Sequence, residues 1–136
     1  MLQLTIKEGS GIPCISLEIV DYYRDICQFK INVRVNYNGF TANTIVYNEL
    51  MDFEMLNEAL FRIKTEDNYY YEYRPMIDGN FSMSFTRVPT GNVNVKSLLY
   101  SKDCMCEMLV NFDIDQTFIQ DICNQIKSII TYYHDK

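Results

Sequence analysis

The sequence of 136 residues has little of what an active site is usually built from. It has one histidine, His134, close to the C-terminus, where chains tend to fray, so this residue is a poor general base and a poor metal ligand. Only five glycines occur, and they form neither a Gly-x-Ser-x-Gly elbow nor a phosphate-binding loop. These absences argue against triad, Cys–His and nucleotide chemistry, and they predict a protein that is not an enzyme.

Long apolar runs are also missing. No segment approaches the roughly 20 consecutive apolar residues that cross a bilayer. The first eight residues lack the basic region and apolar block of an export signal. The sequence therefore predicts a cytoplasmic protein with no membrane contact.

The cysteines are few, odd in number and scattered, unlike the even set of a disulfide-stapled secreted domain. Cys104 and Cys106 alternate as on one face of a strand, but zinc usually requires four converging ligands and no second such pair exists. We therefore expect no metal or other cofactor, and we expect all five cysteines to be small buried residues. They are Cys14, Cys27, Cys104, Cys106 and Cys123.

Basic residues are outnumbered. Lys and Arg total 12 and Asp and Glu total 18, which gives a formal net charge of -6. Such a field repels phosphate backbones, which argues against a nucleic-acid binder and favours a basic partner. The simpler interpretation, that the charge only keeps the domain soluble, also fits.

What the sequence does contain is a regular pattern of strands. Apolar and polar residues alternate over 29–37, and Asn38-Gly39 then favours a type I′ turn, so 40–47 should return as the antiparallel partner. Shorter alternations predict the other strands, with further turns at Asp78-Gly79 and 89–92. The remaining predicted strands lie at about 2–6, 15–19, 69–73, 81–85, 93–100 and 104–112.

Two segments have helical spacing instead. The first is 49–64, with Asn48 as its N-cap and a buried stripe of Phe53, Leu56, Leu60 and Ile63, so that Glu54, Glu58 and Arg62 face outward. The second is the C-terminal segment from Phe118 to Tyr133. Its start is either an Asp115 N-cap or a capping box of Thr117 and Gln120.

This order predicts one α+β domain over 1–136. Hairpin-connected strands and segregated helices imply an antiparallel, strongly curved sheet or sandwich of about eight strands, with one central and one C-terminal helix.

Two acidic residues precede the final helix. Asp113 and Asp115 are a carboxylate pair that a divalent-cation enzyme would need, but acids before a helix also cap its free N–H groups and meet its dipole. Capping is the favoured interpretation.

The tyrosine-rich strand 69–73 is the more suggestive feature. It puts Tyr70 and Glu72 on one face and Tyr69, Tyr71 and Tyr73 on the other. An exposed tyrosine beside carboxylates suits a cationic partner, although tyrosine also fills strands through propensity alone. With the outer side of the first helix, this segment gives a candidate partner-binding surface of Glu54, Glu58, Glu66, Asp67, Tyr70 and Glu72.

Residues 112–119, Phe-Asp-Ile-Asp-Gln-Thr-Phe-Ile, resemble the closing "aromatic, acid, x, Asp-Gln-Thr, aromatic, aliphatic" segment of the WapI-type immunity proteins. Upstream, Tyr37 to Phe40, then Tyr47 and the helix start at Glu49-Leu50, are similar to that family's central strand pair and helix in the same order. The central tyrosine-rich strand and residues 104–106 have no counterpart in this pattern.

This resemblance implies a cytoplasmic immunity protein that binds and neutralises the basic, nuclease-like C-terminal domain of a secreted or contact-dependent bacterial toxin. Capping and helix entry suffice to explain 115–117, so no toxin-binding role is assigned to them. The alternative is a small-molecule-binding β-rich domain of unknown ligand, in which a curled sheet encloses an apolar pocket.

Overall fold

The computed structural model describes residues 2–75, 80–101, 103 and 105–134. Eight antiparallel strands form two four-stranded sheets, and one helix follows each sheet along the chain. The strands are β1 (Gln3–Lys7), β2 (Pro13–Tyr23), β3 (Gln28–Tyr37), β4 (Phe40–Glu49), β5 (Tyr70–Tyr73), β6 (Phe81–Arg87), β7 (Val93–Tyr100) and β8 (Glu107–Ile114); the helices are α1 (Leu50–Ile63) and α2 (Thr117–His134). The predicted α+β class is confirmed, with the strands divided between two sheets in chain order.

The hairpin of β3 and β4 is as predicted. Asn38 and Gly39 have φ angles of 50° and 85°, which are the positive values of a type I′ turn, and Tyr37 pairs with Phe40 across it. Alternate residues of β3 are buried, so one face of this sheet belongs to the core and the other to solvent.

β2 runs further than its alternation predicted. The register with β3 shifts between Ile19 and Asp21, where Val20 is an extra, exposed residue. Such a bulge reverses the in-out pattern, so the residues after Ile19 no longer look like the same strand although pairing continues to Tyr23.

Both sheets and both helices share one core. Phe29 lies at its centre: its ring centroid is 4.6 Å from Tyr22, 4.9 Å from Tyr133 and 5.3 Å from Phe53. These contacts join β2, β3, α1 and α2, and they fix how both helices lie on the first sheet.

The predicted N-cap of α1 is wrong by one residue. Asn48 is still part of β4, is 2% exposed and donates its side-chain N–H to the hydroxyl of Tyr73. Glu49 is the cap instead, in a capping box in which its own N–H donates to Asp52 Oδ2 at 2.7 Å. Because β4 runs directly into α1, the last strand residues were indistinguishable from a cap in the sequence.

At the start of α2, the structure selects one of the two predicted caps. Asp115 Oδ1 accepts a hydrogen bond from the Thr117 N–H at 2.9 Å. Gln120 takes no part in a box, since it accepts from Lys64 Nζ and donates to Asn124.

Three other expectations have mixed outcomes. β8 begins at Glu107 and ends at Ile114, two to three residues later than predicted.

Cys14 and Cys123 are buried, and burial raises the pKa of Cys14 to about 11. Cys27 and Cys106 are exposed, so the prediction that all five cysteines are buried is wrong. Cys104 and the Asp78-Gly79 turn lie outside the described residues.

The free edge of β1 is covered by a side chain of α2. Gln125 Oε1 accepts from the Thr5 N–H at 2.7 Å, and Gln125 Nε2 donates to the Thr5 carbonyl at 3.0 Å. The amide thus occupies the main-chain donor and acceptor that a further strand would use.

Replacing Gln125 by alanine should therefore lower the free energy of unfolding by about 1–2 kcal/mol, because both half-buried Thr5 groups lose their partner. Urea unfolding monitored by circular dichroism measures this loss. Thr131→Ala, an exposed site on the same helix, is the control and should leave stability within about 0.5 kcal/mol. Equal effects at the two sites would contradict the role of Gln125.

Candidate binding surface

The solvent side of α1 is the largest cluster of candidate binding residues. Five side chains of α1 face the core, including all four that the sequence predicted. They are Phe53, Leu56, Ala59, Leu60 and Ile63. The opposite side, here called the α1 outer face, consists of Met51, Glu54, Met55, Glu58, Phe61 and Arg62.

Three of the residues on the α1 outer face are large and apolar. Met51 is 59% exposed, Met55 50% and Phe61 59%. Met51 and Met55 are four residues apart and therefore neighbours on the helix, whereas Phe61 lines the groove between α1 and α2. Exposed apolar side chains can mark interaction sites, and methionine adapts its shape to a partner. The surface predicted from the sequence did not include these three residues, although a helical projection that puts Phe53 inward places all of them outward.

The carboxylates of the α1 outer face are available to a partner. Glu54 and Glu58 are exposed and one helical turn apart. Within the described part of the chain, neither forms an ion pair or a side-chain hydrogen bond. Two like charges at this spacing slightly destabilise a helix. Glu58 also lies one turn before Arg62, and its charge adds to the raised pKa of that guanidinium.

Glu66 is different, because its charge is already balanced. Arg62 Nε lies 2.9 Å from Glu66 Oε2 and the guanidinium lies 5.2 Å from the Tyr69 ring centroid. The hydrogen bond and the charge of Glu66 raise the pKa of Arg62. Part of the charge of Glu66 is thus already used within the chain, which makes it a weaker attraction for a partner than Glu54.

The carboxylate of Asp67 also has an ion-pair partner, Arg87. Its Oδ1 lies 3.3 Å from Arg87 Nε, and Arg87 Nη1 donates to the carbonyls of Ile63 and Lys64 at 3.0 and 2.5 Å. Arg87 thus binds the C-terminal end of α1, whose last carbonyls have no partner within the helix. Asp67 contributes to holding that guanidinium in place.

The remaining two candidate residues face another direction. In β5, Tyr73 is buried and Tyr71 is half-buried against the core, whereas Tyr70 is 57% exposed and Glu72 is exposed. This is the predicted alternation. It puts Tyr70 and Glu72 on the face of the second sheet that points away from α1, so the structure separates them from Glu54 and Glu58. Glu72 also lies 3.4 Å from Arg74.

Two lysines border the α1 outer face. Between α1 and α2 lies a groove of about 280 Å³ whose lining includes Phe61, Lys64 and Lys127. Lys64 Nζ lies 2.6 Å from Gln120 Oε1 and 4.7 Å from the Phe61 ring centroid, so its position is fixed. Glu58 lines the same groove. On this side of α1, its carboxylate and the ring of Phe61 therefore lie beside positive charge.

The carboxylates before α2 serve the local structure. Asp113 Oδ1 accepts from Asn94 Nδ2 at 3.0 Å, and Asp115 accepts from the Thr117 N–H. Among the residues that the structure describes, no group of three or more His, Cys, Asp and Glu side chains comes together as a metal site would.

The fold and this surface define a class, an α+β domain of two four-stranded antiparallel sheets and two helices with an acidic and apolar helix face. Comparison with known proteins finds no matching family model, no curated relative and no similar solved structure. In the described part of the chain, neither helix has the length and apolar character needed to span a membrane.

Proposed function

We propose that this chain is an immunity protein, which binds and neutralises the nuclease-like C-terminal domain of a secreted or contact-dependent bacterial toxin. One observation carries the proposal. The α1 outer face combines three large apolar side chains, each at least half exposed, with two carboxylates that have no ion-pair partner in the described chain.

The chemistry of the partner follows from its substrate. A nuclease binds phosphates through lysine and arginine, so its cleft is basic. Glu54 and Glu58 attract such a cleft, and the net charge of -6 increases the rate of encounter. Met51, Met55 and Phe61 then supply contact area, because buried apolar anchors carry most of the affinity of an interface. Occupying the cleft inhibits the nuclease without any catalysis by the inhibitor.

The resemblance of residues 112–119 to WapI-type immunity proteins supports the same proposal. Phe112 is buried in the second sheet, and Asp115 accepts a hydrogen bond at the start of α2. These residues act in the scaffold, in agreement with leaving them out of the binding surface.

Reversing both charges on the α1 outer face tests the proposal. The variant Glu54→Lys with Glu58→Lys should associate with its toxin domain about tenfold or more slowly at low salt, because attraction becomes repulsion over the approach. On this proposal we expect a toxin gene directly upstream, and the C-terminal domain that it encodes is the partner to use. Stopped-flow association at several salt concentrations measures the rate.

A variant with the same change in net charge at a distant site is the control. Glu8→Lys with Glu18→Lys alters the β1–β2 hairpin and its turn, and it should slow association far less. Equal rates for the two double variants would mean that only net charge matters, and an unchanged rate for the α1 variant would remove this surface from the proposal.

A further inference from the structure

The two sheets have four edge strands, and β4 is the least protected. β1 is covered by Gln125, β5 has only four residues, and β8 carries Glu107 and Asp113. β4 is ten residues long and pairs with β3 without a register shift. From Phe40 to Asn48 it contains no charged residue and no proline. Natural sheets normally protect their edges with charge, proline, a bulge or short length, and Phe40 to Asn48 has none of these.

The main-chain groups of this edge are open where β4 begins. In a two-residue hairpin the residues closing the turn bond to each other, and bonded pairs then alternate along the ladder. Tyr37 and Phe40 close the turn, so Thr41 and Asn43 direct their N–H and C=O groups away from β3. Both residues are exposed, and no described residue forms a hydrogen bond to these groups.

An apolar cleft lies beside the same residues. A cavity of about 370 Å³ separates Thr41–Asn43 from the end of β7 and the start of β8. Its apolar walls include Leu99, Met108 and Phe40, which is 72% exposed. Within the described lining, Glu107 is the one charged residue, and it forms no ion pair.

We propose that the β4 edge and this cleft bind an extended, basic segment of the toxin domain, which adds a strand to the first sheet. This inference rests on the proposed function and names a second contact of the same partner. Unpaired main-chain groups select an extended strand, the apolar walls select apolar side chains at alternate positions, and Glu107 with the net charge of -6 selects a basic residue among them.

The cleft is separate from the α1 outer face. It is formed by the start of β4 and by the β7–β8 end of the second sheet, whereas α1 follows the other end of β4. A partner that uses both would contact opposite ends of β4, and each contact is open to its own test.

A short peptide tests the cleft without the toxin. The probe is a synthetic copy of residues 28–37 of this chain, Gln-Phe-Lys-Ile-Asn-Val-Arg-Val-Asn-Tyr, which is extended in its native setting, alternates apolar residues and carries two basic and no acidic side chains. Titrated into the ¹⁵N-labelled protein, it should shift the amide signals of Thr41, Asn43, Leu99 and Met108. A peptide with proline in place of Asn32 and Val33 loses a central N–H donor on each of its two edges, so it should bind at least about tenfold more weakly.

Two protein variants locate the contact. Asn43→Pro removes an outward donor from an edge position where proline is tolerated, and Glu107→Lys reverses the charge of the cleft without touching the ladder. Each should weaken peptide binding by about tenfold or more, and the second remains informative if the first fails to fold. Thr131→Ala, an uncharged and exposed site on α2, should bind the peptide as the wild type does.

Absence of shifts at millimolar peptide, shifts on α1 instead of the cleft, or equal binding of the proline peptide would each overturn the inference. Those outcomes would not bear on the proposed binding role of the α1 outer face, because the toxin association rates test that role separately.

Discussion

Alanine in place of Phe29 is expected to lower the free energy of unfolding by about 3–5 kcal/mol. Phe29 is fully buried, and its ring contacts Tyr22, Phe53 and Tyr133, which come from β2, α1 and α2. Its loss leaves a cavity at the junction of one sheet and both helices and removes three aromatic contacts. Urea unfolding, followed by circular dichroism, measures the change.

Phe40→Ala is the matched control, because Phe40 is 72% exposed and lies one hairpin turn away from β3. It should change stability by no more than about 0.5 kcal/mol. A loss below about 1 kcal/mol at Phe29 would contradict the central place of this residue in the core.

Alkaline pH should destabilise the protein through Tyr73. Complete burial, together with the charge of Asp52, raises the pKa of this phenol far above its ordinary value of 10.0, against the opposing hydrogen bond from Asn48. The unfolded chain therefore releases the proton first. The stabilisation is fully present below about pH 10 and is lost as the pH rises toward the folded pKa, by about 1.4 kcal/mol per pH unit.

Comparison with Tyr73→Phe isolates this contribution, since Tyr71 and Cys14 also have raised pKa values and contribute to the slope in both proteins. Between about pH 10 and 11.5 the stability of the variant should fall less steeply than that of the wild type. The two slopes should differ by about 1.4 kcal/mol per pH unit. At neutral pH the variant should be about 1–3 kcal/mol less stable, because Asn48 Nδ2 loses its acceptor. Parallel pH curves would contradict the burial of this phenol.

The fold was predictable where its signals are local. The Asn38-Gly39 turn and the stripe of α1 from Phe53 to Ile63 each require only a few neighbouring residues, and both are confirmed. The bulge at Val20 was not predictable, because a bulge is defined by its partner strand. The same is true of Asn48, whose hydrogen-bond partner, Tyr73, is 25 residues away.

For the candidate surface, the sequence predicted only which side chains face solvent. Helical spacing placed Glu54 and Glu58 outward, and strand alternation did the same for Tyr70. Which acids are already paired depends on contacts between distant elements, as between Asp67 and Arg87. Which outward residues share a surface depends on how α1 lies against β5. Neither property has a signal in a single sequence.

The most direct test of the proposed function is a titration of inhibition. The nuclease-like domain of the toxin that we expect to be encoded upstream is held at a fixed concentration well above the dissociation constant, and nucleic-acid cleavage is measured while the purified chain is added. Activity should fall linearly to near zero at an equimolar amount of the wild-type chain, and Glu54→Lys with Glu58→Lys should require a clear excess. Full cleavage in the presence of a large excess of the wild-type chain would contradict the proposed function.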